Sequence, residues 1–576
     1  MASNPIIKTY KKLFALLSKK QRKNGVKALV YSVILGLADL VAISATVPLL
    51  VLTIDKSFLQ KSSKLRWVYD KTGLATEGDF LLLLIGIILF FFIVKNIFGI
   101  WFKRFIKNQC TEIASIYAER LYAKYLSKDY LSSVKLGTSE MIDKLIYFPF
   151  QLSHGIIFPF VTLLTELIAI FLIVGLILVY KPFVFLVLLA LMLPSLYFIF
   201  KFTRKRLYKL GQDSDLYRAQ TIQGINTGLQ GLEDIKFNDV ESHFLLRYRS
   251  TVGKFINSNL ESLVYQFLPS RFNEIIAILG LVVFAIYGYF FSENVGGTRV
   301  LAALFALAIF RLVPAINKVL ASLMSLKTYQ RVLEEEVYLE EESTVSINEI
   351  SFEKSIELVN LGFSFKDSTK PLFSDLNLEI KKGRTIGIYG ESGNGKSTLL
   401  KIITGVIRSN EGVVKVDGLT LNETNYKNWQ NKVAYVSQNP FILNGSLKEN
   451  IALGEKLEDI NEDKMIQCIK EASLDVFFTE WSKDLEIPLG ESGAFISEGQ
   501  KQRVCIARAL YKNVETLVLD EATSALDDEN ERGIQESIEK LSNKNYTILI
   551  IAHKKSFLSI CDDVYKLENS ELIKTN

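Results

Sequence analysis

Gly390, Ser392, Gly393, Asn394, Gly395, Lys396 and Ser397, with Thr398 behind them, make a loop suited to holding phosphate. The strand-like run Thr385–Tyr389 enters this loop and Ser397–Ile403 leaves it as a helix. Glycines let backbone N–H groups curl around phosphate oxygens, and the helix dipole adds a favourable field. Lys396 is expected to neutralise β- and γ-phosphate oxygens, and the Ser397 hydroxyl to ligate Mg²⁺. The apolar run Leu517–Leu519 ends in Asp520 and Glu521. A buried strand that delivers carboxylates to its C-terminal edge suits Asp520 to Mg²⁺ and Glu521 to general-base activation of water. His553 follows Thr547–Ile551 and Gln438 follows Val433–Ser437. A lone histidine is more often incidental, but at the end of a third strand His553 fits the γ-phosphate or the attacking water. Gln438 offers a neutral amide to Mg²⁺ and water. Ile496–Gln500 adds a second nucleotide-handling motif, with Ser497, Gly499 and Gln500 as its candidate contacts.

The elements that must position these residues occupy the C-terminal part of the chain. From Ile356 onward, short β-type runs alternate with turn residues, and residues 351–576 read as an α/β protein. The preceding residues differ in kind. Six apolar runs reach bilayer length: Val26–Ile54, Phe80–Phe102, Ile156–Tyr180, Phe183–Phe202, Ile275–Phe291 and Val300–Leu326. Lys103–Tyr147 and Arg204–Glu274, between spans, are long, charged and helix-prone, with breaks expected at Gly137–Ser139 and Asn226–Gly231. Their flanking Lys103, Arg104, Lys107 and Arg204–Arg206 place them in the cytosol, together with the lysine-rich start and, by the even span count, the nucleotide half. The expected organisation is therefore a membrane domain over 1–335, a linker over 336–355 and a nucleotide-binding domain over 356–576.

Two flanking segments carry open alternatives. Pro5–Leu17 reads as an amphipathic helix on the inner membrane surface or as a cationic tail. Asp55–Asp79 reads as a short helix on the outer leaflet or as an ordinary loop. Helical sequence continues past the last span through Lys327–Glu342.

The apolar spans also hold ionisable residues: Asp39, Lys95, Glu166, Arg271, Glu274, Arg311 and Lys318. Such residues are costly in a bilayer and are functional candidates by default. Arg311 and Lys318 lie two turns apart on one helix face, with Pro314 between them to loosen it. Cations facing one cavity suit a phosphate or pyrophosphate. Internal pairing, Arg271 with Glu274 or Lys95 with Glu166, is the competing reading.

Composition narrows the class. A chain of 576 residues needs several domains, and 49% hydrophobic content hides the asymmetry between its halves. The net charge of +5 is small, and the basic residues flank apolar runs, so a nucleic-acid partner is not expected. Four cysteines without metal spacing imply a reducing setting and no disulfide framework. No cleavable signal is expected at Met1–Gln21.

Taken in order, these motifs resemble the ATP-binding-cassette exporters over essentially the whole chain. The resemblance implies an all-α six-helix transmembrane domain of the type IV exporter class plus an α/β P-loop nucleotide-binding domain, with ATP and Mg²⁺ as cofactors. It makes Phe365 the adenine-stacking aromatic, Gly390–Ser397 the Walker A loop and Gln438 the Q-loop. Ile496–Gln500 becomes the signature, Asp520 and Glu521 the Walker B pair, Ser524–Asp527 the D-loop (Asp527 touching nucleotide), and His553 the switch histidine. Two residues depart from the pattern: Phe365 stands where tyrosine is usual, and Glu498 where the signature usually has a small glycine. An added carboxylate near a γ-phosphate is unfavourable unless it points away. One signature facing the other subunit's Walker A implies a dimer, a homodimer for a one-cassette chain, with two shared ATP sites.

Asp39–Pro48, Leu268–Glu274 and Phe310–Lys318 further resemble bacterial flippases of lipid-linked oligosaccharides. That resemblance implies a basic belt formed by Arg271, Arg311, Lys318 and Lys95, a lipid cargo, and a place in the bacterial cytoplasmic membrane. Competing readings are a multidrug, peptide or simple-lipid exporter, and a slow ATP-gated channel or regulatory subunit. Intact Glu521 and His553 argue against the last; six spans argue against a soluble ATPase.

Overall fold

The computed structural model describes residues 17–54, 63–74, 76–180, 182–291, 295–334, 349–365, 368, 370–475, 484–521, 528–552 and 555–575. The chain divides into two compact units, Met1–Lys128 with Ser132–Glu340, and Asp129–Leu131 with Glu341–Asn576.

The first unit is helical throughout its described residues. Its helices are α1 (Lys19–Ile54), α2 (Ser63–Thr72), α3 (Glu77–Ser127), α4 (Tyr130–Leu136), α5 (Thr138–Gln151), α6 (Phe158–Tyr180), α7 (Pro182–Gln230), α8 (Leu232–Phe237), α9 (Glu241–Phe291), α10 (Val295–Thr328) and α11 (Gln330–Glu334). Five of the six apolar runs lie within one long helix each, α1, α3, α7, α9 and α10, and Ile156–Tyr180 fills α6 after beginning in the preceding π turn. Among the described residues, four stretches are long and apolar enough to cross a membrane: Lys19–Ala42, Glu77–Ser127, Thr138–Gly175 and Ile309–Thr328. Helices α7 and α9 pack along much of their length, while α1 packs on α3 and α6, and α6 on α10.

The long helices outrun the bilayer. At 1.5 Å per residue, the 51 residues of α3 extend about 76 Å, more than twice the ~30 Å of a hydrocarbon core. Thr76 caps α3, its hydroxyl accepting from the Asp79 N–H at 3.1 Å, with Glu77 and Asp79 complementing the dipole. The expected breaks fall where glycine stands. Gly137, at φ +76°, separates α4 from α5, and Gly231 separates α7 from α8. Between α5 and α6 the helix widens into a π turn, Leu152–Ile157, next to Pro149. A π turn misaligns local carbonyls; here the Ser325 hydroxyl donates to the Gly155 carbonyl at 3.0 Å.

A buried ion cluster fastens α5 to α7. The Arg218 guanidinium donates to both oxygens of Asp143, at 2.6 and 3.2 Å, and to Asp215 at 2.9 Å, and lies 4.5 Å from the Tyr147 ring centroid. Gln151 completes the set by donating to Asp215 at 3.0 Å. Buried charge of this kind is tolerated because both acids and every donor face a partner.

Two expectations about connecting segments are now decided in part. Residues 63–72 of the loop after the first span form α2, on which Tyr69 meets Phe80 edge-to-face at 5.2 Å. The helix continuing the last span stops at Thr328; a turn at Tyr329 and the short α11 follow, so Lys327–Glu342 is not one continuous helix. The amphipathic segment Pro5–Leu17 lies, but for Leu17, outside the described residues.

The second unit contains two sheets. A four-stranded antiparallel sheet has order β2-β1-β4-β5, from β1 (Ser355–Phe363), β2 (Phe373–Lys381), β4 (Glu411–Val416) and β5 (Leu419–Thr420). A six-stranded sheet has order β10-β9-β3-β8-β7-β6. Its strands are β3 (Thr385–Tyr389), β6 (Val433–Val436), β7 (Thr516–Asp520), β8 (Thr547–Ile551), β9 (Asp563–Glu568) and β10 (Glu571–Lys574). All its pairings are parallel except the β9–β10 hairpin. Strands β7 and β8 are buried on both faces, which is why their sequences are unbroken apolar runs. Helices α12 (Lys396–Ile403), α13 (Tyr426–Asn431), α14 (Leu447–Ile451), α15 (Glu462–Glu471), α16 (Glu498–Tyr511), α17 (Asp528–Ser542) and α18 (Lys555–Leu558) complete the unit.

Candidate functional site

In a parallel α/β sheet, ligands bind beyond the carboxyl ends of the strands. Here β3 ends at Tyr389 and runs into Gly390–Ser397, β7 ends at Asp520, and β6 ends two residues before Gln438. Strand β8 lies between β3 and β7, and Ala552 follows it. His553 and Asp527 lie outside the described residues.

The loop is held open by backbone that only glycine tolerates. Gly390 has φ +157°, and a Cβ there would stand 2.4 Å from the Leu567 carbonyl oxygen; at Gly395 (φ +87°) it would stand 2.5 Å from Leu372. Asn394 anchors the loop by donating to the same Leu567 carbonyl at 3.2 Å. The Lys396 ammonium donates to the carbonyls of Gly390 at 2.8 Å and Glu391 at 2.9 Å. Burial lowers the Lys396 pKa, against the opposing pull of Glu521 and Asp520.

Beside it, the Ser397 hydroxyl donates to Asp520 Oδ1 at 2.9 Å, and the Tyr435 hydroxyl donates to Asp520 Oδ2. The Gln438 amide donates to Glu521 Oε2 at 3.2 Å. Glu521 itself has φ +50°, a sparsely populated region for a non-glycine residue. Ser397, Asp520, Glu521 and Gln438 are thus joined pairwise at one sheet end, although 124 residues separate Ser397 from Glu521 in sequence. Hydroxyl, carboxylate and amide oxygens are the hard donors Mg²⁺ takes, and the glycine cradle with a partly desolvated lysine fits a polyphosphate.

Tyr435 escaped the sequence reading. Burial first, then the bond to Asp520, pushes its hydroxyl pKa up, so it stays a proton donor. Its one sequence signal is position, the third residue of a strand that ends just before Gln438.

Phe365 stands just beyond β1, 43% exposed, with Phe363 edge-to-face at 5.0 Å and one face left for stacking. Ser497 is the N-cap of α16 in a reciprocal box with Gln500: the Ser497 hydroxyl accepts from the Gln500 N–H at 3.3 Å, and Gln500 Oε1 accepts from the Ser497 N–H at 2.9 Å. Glu498, in the first turn, is bonded to Lys501 at 2.8 Å, so its charge is locally balanced. Gly499 is buried beside it. No described hydrogen bond or ion pair joins Ser497–Gln500 to Gly390–Ser397 within this chain.

The four basic candidates of the apolar helices fall into three places. Lys95 on α3 lies 2.5 Å from Asp39 on α1, and Arg311 on α10 is ion-paired with the same Asp39. Lys318 on α10 meets Glu166 on α6 at 2.6 Å. Arg271 stays on α9 with Glu274, at 3.1 Å, and both are exposed. Of the pairings weighed from sequence, Arg271–Glu274 is present, whereas Lys95 pairs with Asp39 and not with Glu166.

Comparison with known proteins covers both units. A family model described as ABC transporter matches residues 373–524. The ATP-dependent lipid A-core flippase of Polaromonas sp. (strain JS666 / ATCC BAA-500) is 26% identical over 459 residues, 79% of this chain and 77% of that protein. The putative multidrug export ATP-binding/permease protein YgaD of Bacillus subtilis (strain 168) is 28% identical over 446 residues, 76% of each. Among solved structures, a bacterial Atm1-family ABC exporter with ATP bound matches with a TM-score of 0.75 at 18% identity, over 96% of this chain and 94% of that one. The fold is therefore that of a type IV ABC exporter, a helical membrane region with an α/β nucleotide-binding unit. Residues 373–524 therefore form an ABC transporter ATPase domain, and over most of its length the chain is similar to proteins named as ATP-driven exporters and flippases.

Proposed function

We propose that this exporter flips an amphipathic anionic lipid, specifically one carrying an oligosaccharide on pyrophosphate, to the outer leaflet of a bacterial cytoplasmic membrane. The observation that carries this reading is the meeting of Lys95 and Arg311, from two helices, on the single carboxylate of Asp39. Two cations against one acid leave a positive charge inside apolar helices, where an anionic cargo group balances it. Lys318 is 49% exposed despite its bond to Glu166, so a ligand can reach it. Arg271 would add to this belt from α9.

A second reading is export of drugs, peptides or simple lipids. It draws on the carboxylate partner each of the four basic residues already has, and on the multidrug-named relative.

We further propose a homodimer with two composite ATP sites. Lys396 and the Gly390–Ser397 loop bind phosphates, Phe365 stacks on adenine, and Ser497, Gly499 and Gln500 close over the nucleotide held by the other copy. Ser397, Asp520 and Gln438 would hold Mg²⁺, which supplies charge neutralisation at the phosphate oxygens. Glu521 accepts the proton of the attacking water, its carboxylate aimed by the Gln438 amide. Asp527 and His553 join this site on their sequence positions alone.

Flipping assays in proteoliposomes with a defined pyrophosphate-linked lipid test the cargo. Arg311→Ala is expected to abolish flipping while basal ATP hydrolysis stays largely unchanged. Unaltered flipping by that variant removes the cargo assignment.

A further inference from the structure

A cavity of about 180 Å³ opens between the first turns of α1, the middle of α3 and the start of α6, and none of Asp39, Lys95, Glu166, Arg311 and Lys318 lines it. Its walls are apolar, with Ala28, Ile106, Cys110, Ile157 and Val161 among them. An apolar space of roughly 150 Å³ is already large enough to stay dry and take up a benzene ring.

Two features of α1 go beyond a packing gap. Gln21, Gly25, Ala28 and Ser32 line the cavity at helical spacing, so one stripe of α1 faces it. Gly25 sits inside a helix, where glycine costs roughly 1 kcal/mol relative to alanine, yet a Cβ there would meet nothing within 4 Å. No neighbour requires the glycine; it keeps the cavity open.

Gln21 is the second feature. It is 5% exposed, and its Oε1 accepts from the Ser18 N–H at 2.9 Å, while its buried Nε2 donates to nothing. Buried donors are rarely left unmade, because the desolvation cost is then uncompensated. Nearby polar groups are already engaged: Asn24 donates to Gln109 at 2.8 Å, and Lys20 is bonded to Glu112 at 3.2 Å. Arg22 also lines the cavity; its exposed guanidinium donates to the Leu17 carbonyl at 2.9 Å.

We propose that this cavity is a binding site for one acyl chain of a membrane phospholipid, with a phosphate or ester oxygen of its head accepting the Gln21 amide N–H. The surroundings choose a lipid over another occupant. Val26, Leu29 and Val30 on the same turns of α1 are 60%, 42% and 51% exposed, an apolar surface of the kind that faces hydrocarbon. Apolar walls, one buried donor and an exposed guanidinium match a tail and its headgroup junction in that order. The site is separate from the cargo path proposed above and holds whichever cargo is moved.

The test uses the full-length exporter in nanodiscs containing a phospholipid with a diazirine midway along one chain. Adducts are expected to concentrate on peptides covering residues 17–32 and 105–113, above other lipid-facing peptides. Gly25→Leu, which builds into open space, is expected to cut those adducts about tenfold with labelling elsewhere and ATP hydrolysis unchanged. Ala28→Leu fills the same space should the first variant fail to fold. Gln21→Leu is expected to retain labelling by an alkyl-alcohol probe of equal length and to lose the preference for the phospholipid. Even labelling of all lipid-facing peptides, or undiminished adducts in both filled variants, overturns the site. So does a photo-crosslinker at position 25 that captures residues 1–16 of the same chain instead of lipid.

Discussion

The Asp39 carboxylate on α1 is ion-paired with the Arg311 guanidinium on α10, 272 residues further along the chain. Lys95, from α3, shares that carboxylate. Three helices distant in sequence are therefore fastened at one buried acid. Removing one partner from a buried pair strands the other charge, at a cost of about 3–5 kcal/mol. Asp39→Asn strands two cations. Its thermal midpoint in detergent is expected to fall well below that of the wild type, and Asp39→Asn with Arg311→Gln to recover part of the loss. A double mutant no more stable than the sum of its single changes would show that the two residues are not coupled.

The bond from the Gln438 amide to Glu521 Oε2, at 3.2 Å, fixes one oxygen of the proposed general base. Glu521→Gln keeps size and shape but cannot take a proton. Phosphate release is expected to fall by about 10²–10⁴ while nucleotide binding is retained. Gln438→Ala leaves the base chemically intact and merely unaimed, so it is expected to lose less. Parallel measurement of nucleotide binding and steady-state phosphate release separates these cases; binding lost along with turnover in Glu521→Gln removes the base assignment.

Asp520 is addressed from both sides, by Ser397 at one oxygen and Tyr435 at the other. Hydrogen bonds to a charged acceptor are worth about 1.5–3 kcal/mol. Tyr435→Phe leaves the ring and the strand in place and removes only the donor that orients the carboxylate. The Mg²⁺ concentration for half-maximal ATP hydrolysis is expected to rise about tenfold, with the rate at saturating Mg²⁺ closer to normal. A lower maximal rate at an unchanged Mg²⁺ midpoint would place Tyr435 outside the metal site.

Much of this was readable before folding because the relevant signals are local. The run Thr385–Tyr389, the glycines after it and the apolar Leu517–Leu519 announce a strand, a phosphate loop and a carboxylate-bearing strand end from neighbouring residues alone. Glycine at 137 and 231 likewise marks its own helix breaks. Long-range pairing is what sequence does not state. Any of several carboxylates could have balanced Lys95, and which one does depends on how α1, α3 and α6 pack. Tyr435 was hidden because a tyrosine in a strand fits ordinary packing, and its bond to Asp520 spans 85 residues. The π turn at Leu152–Ile157 has no residue signature beyond nearby Pro149.

Asp417, at the turn between β4 and β5, clamps the start of the second unit. Its carboxylate accepts three successive backbone N–H groups, from Glu353 at 2.5 Å, Lys354 at 2.8 Å and Ser355 at 3.0 Å. Partial burial raises its pKa, but the three bonds together outweigh that and hold the carboxyl below the ordinary aspartate range. A folded-state pKa below the unfolded value means that the unfolded chain binds more protons between the two. The stabilisation is therefore fully present above the unfolded pKa, about 3.9, and is lost as pH falls through the folded value. Amide exchange at residues 353–355, corrected for intrinsic rates, is expected to accelerate as pH drops below about 4. In Asp417→Asn it should already be fast at neutral pH and carry no acid-dependent step. Protection at these three amides that is independent of pH in the wild-type protein would show that the Asp417 clamp contributes nothing to holding this edge of the sheet.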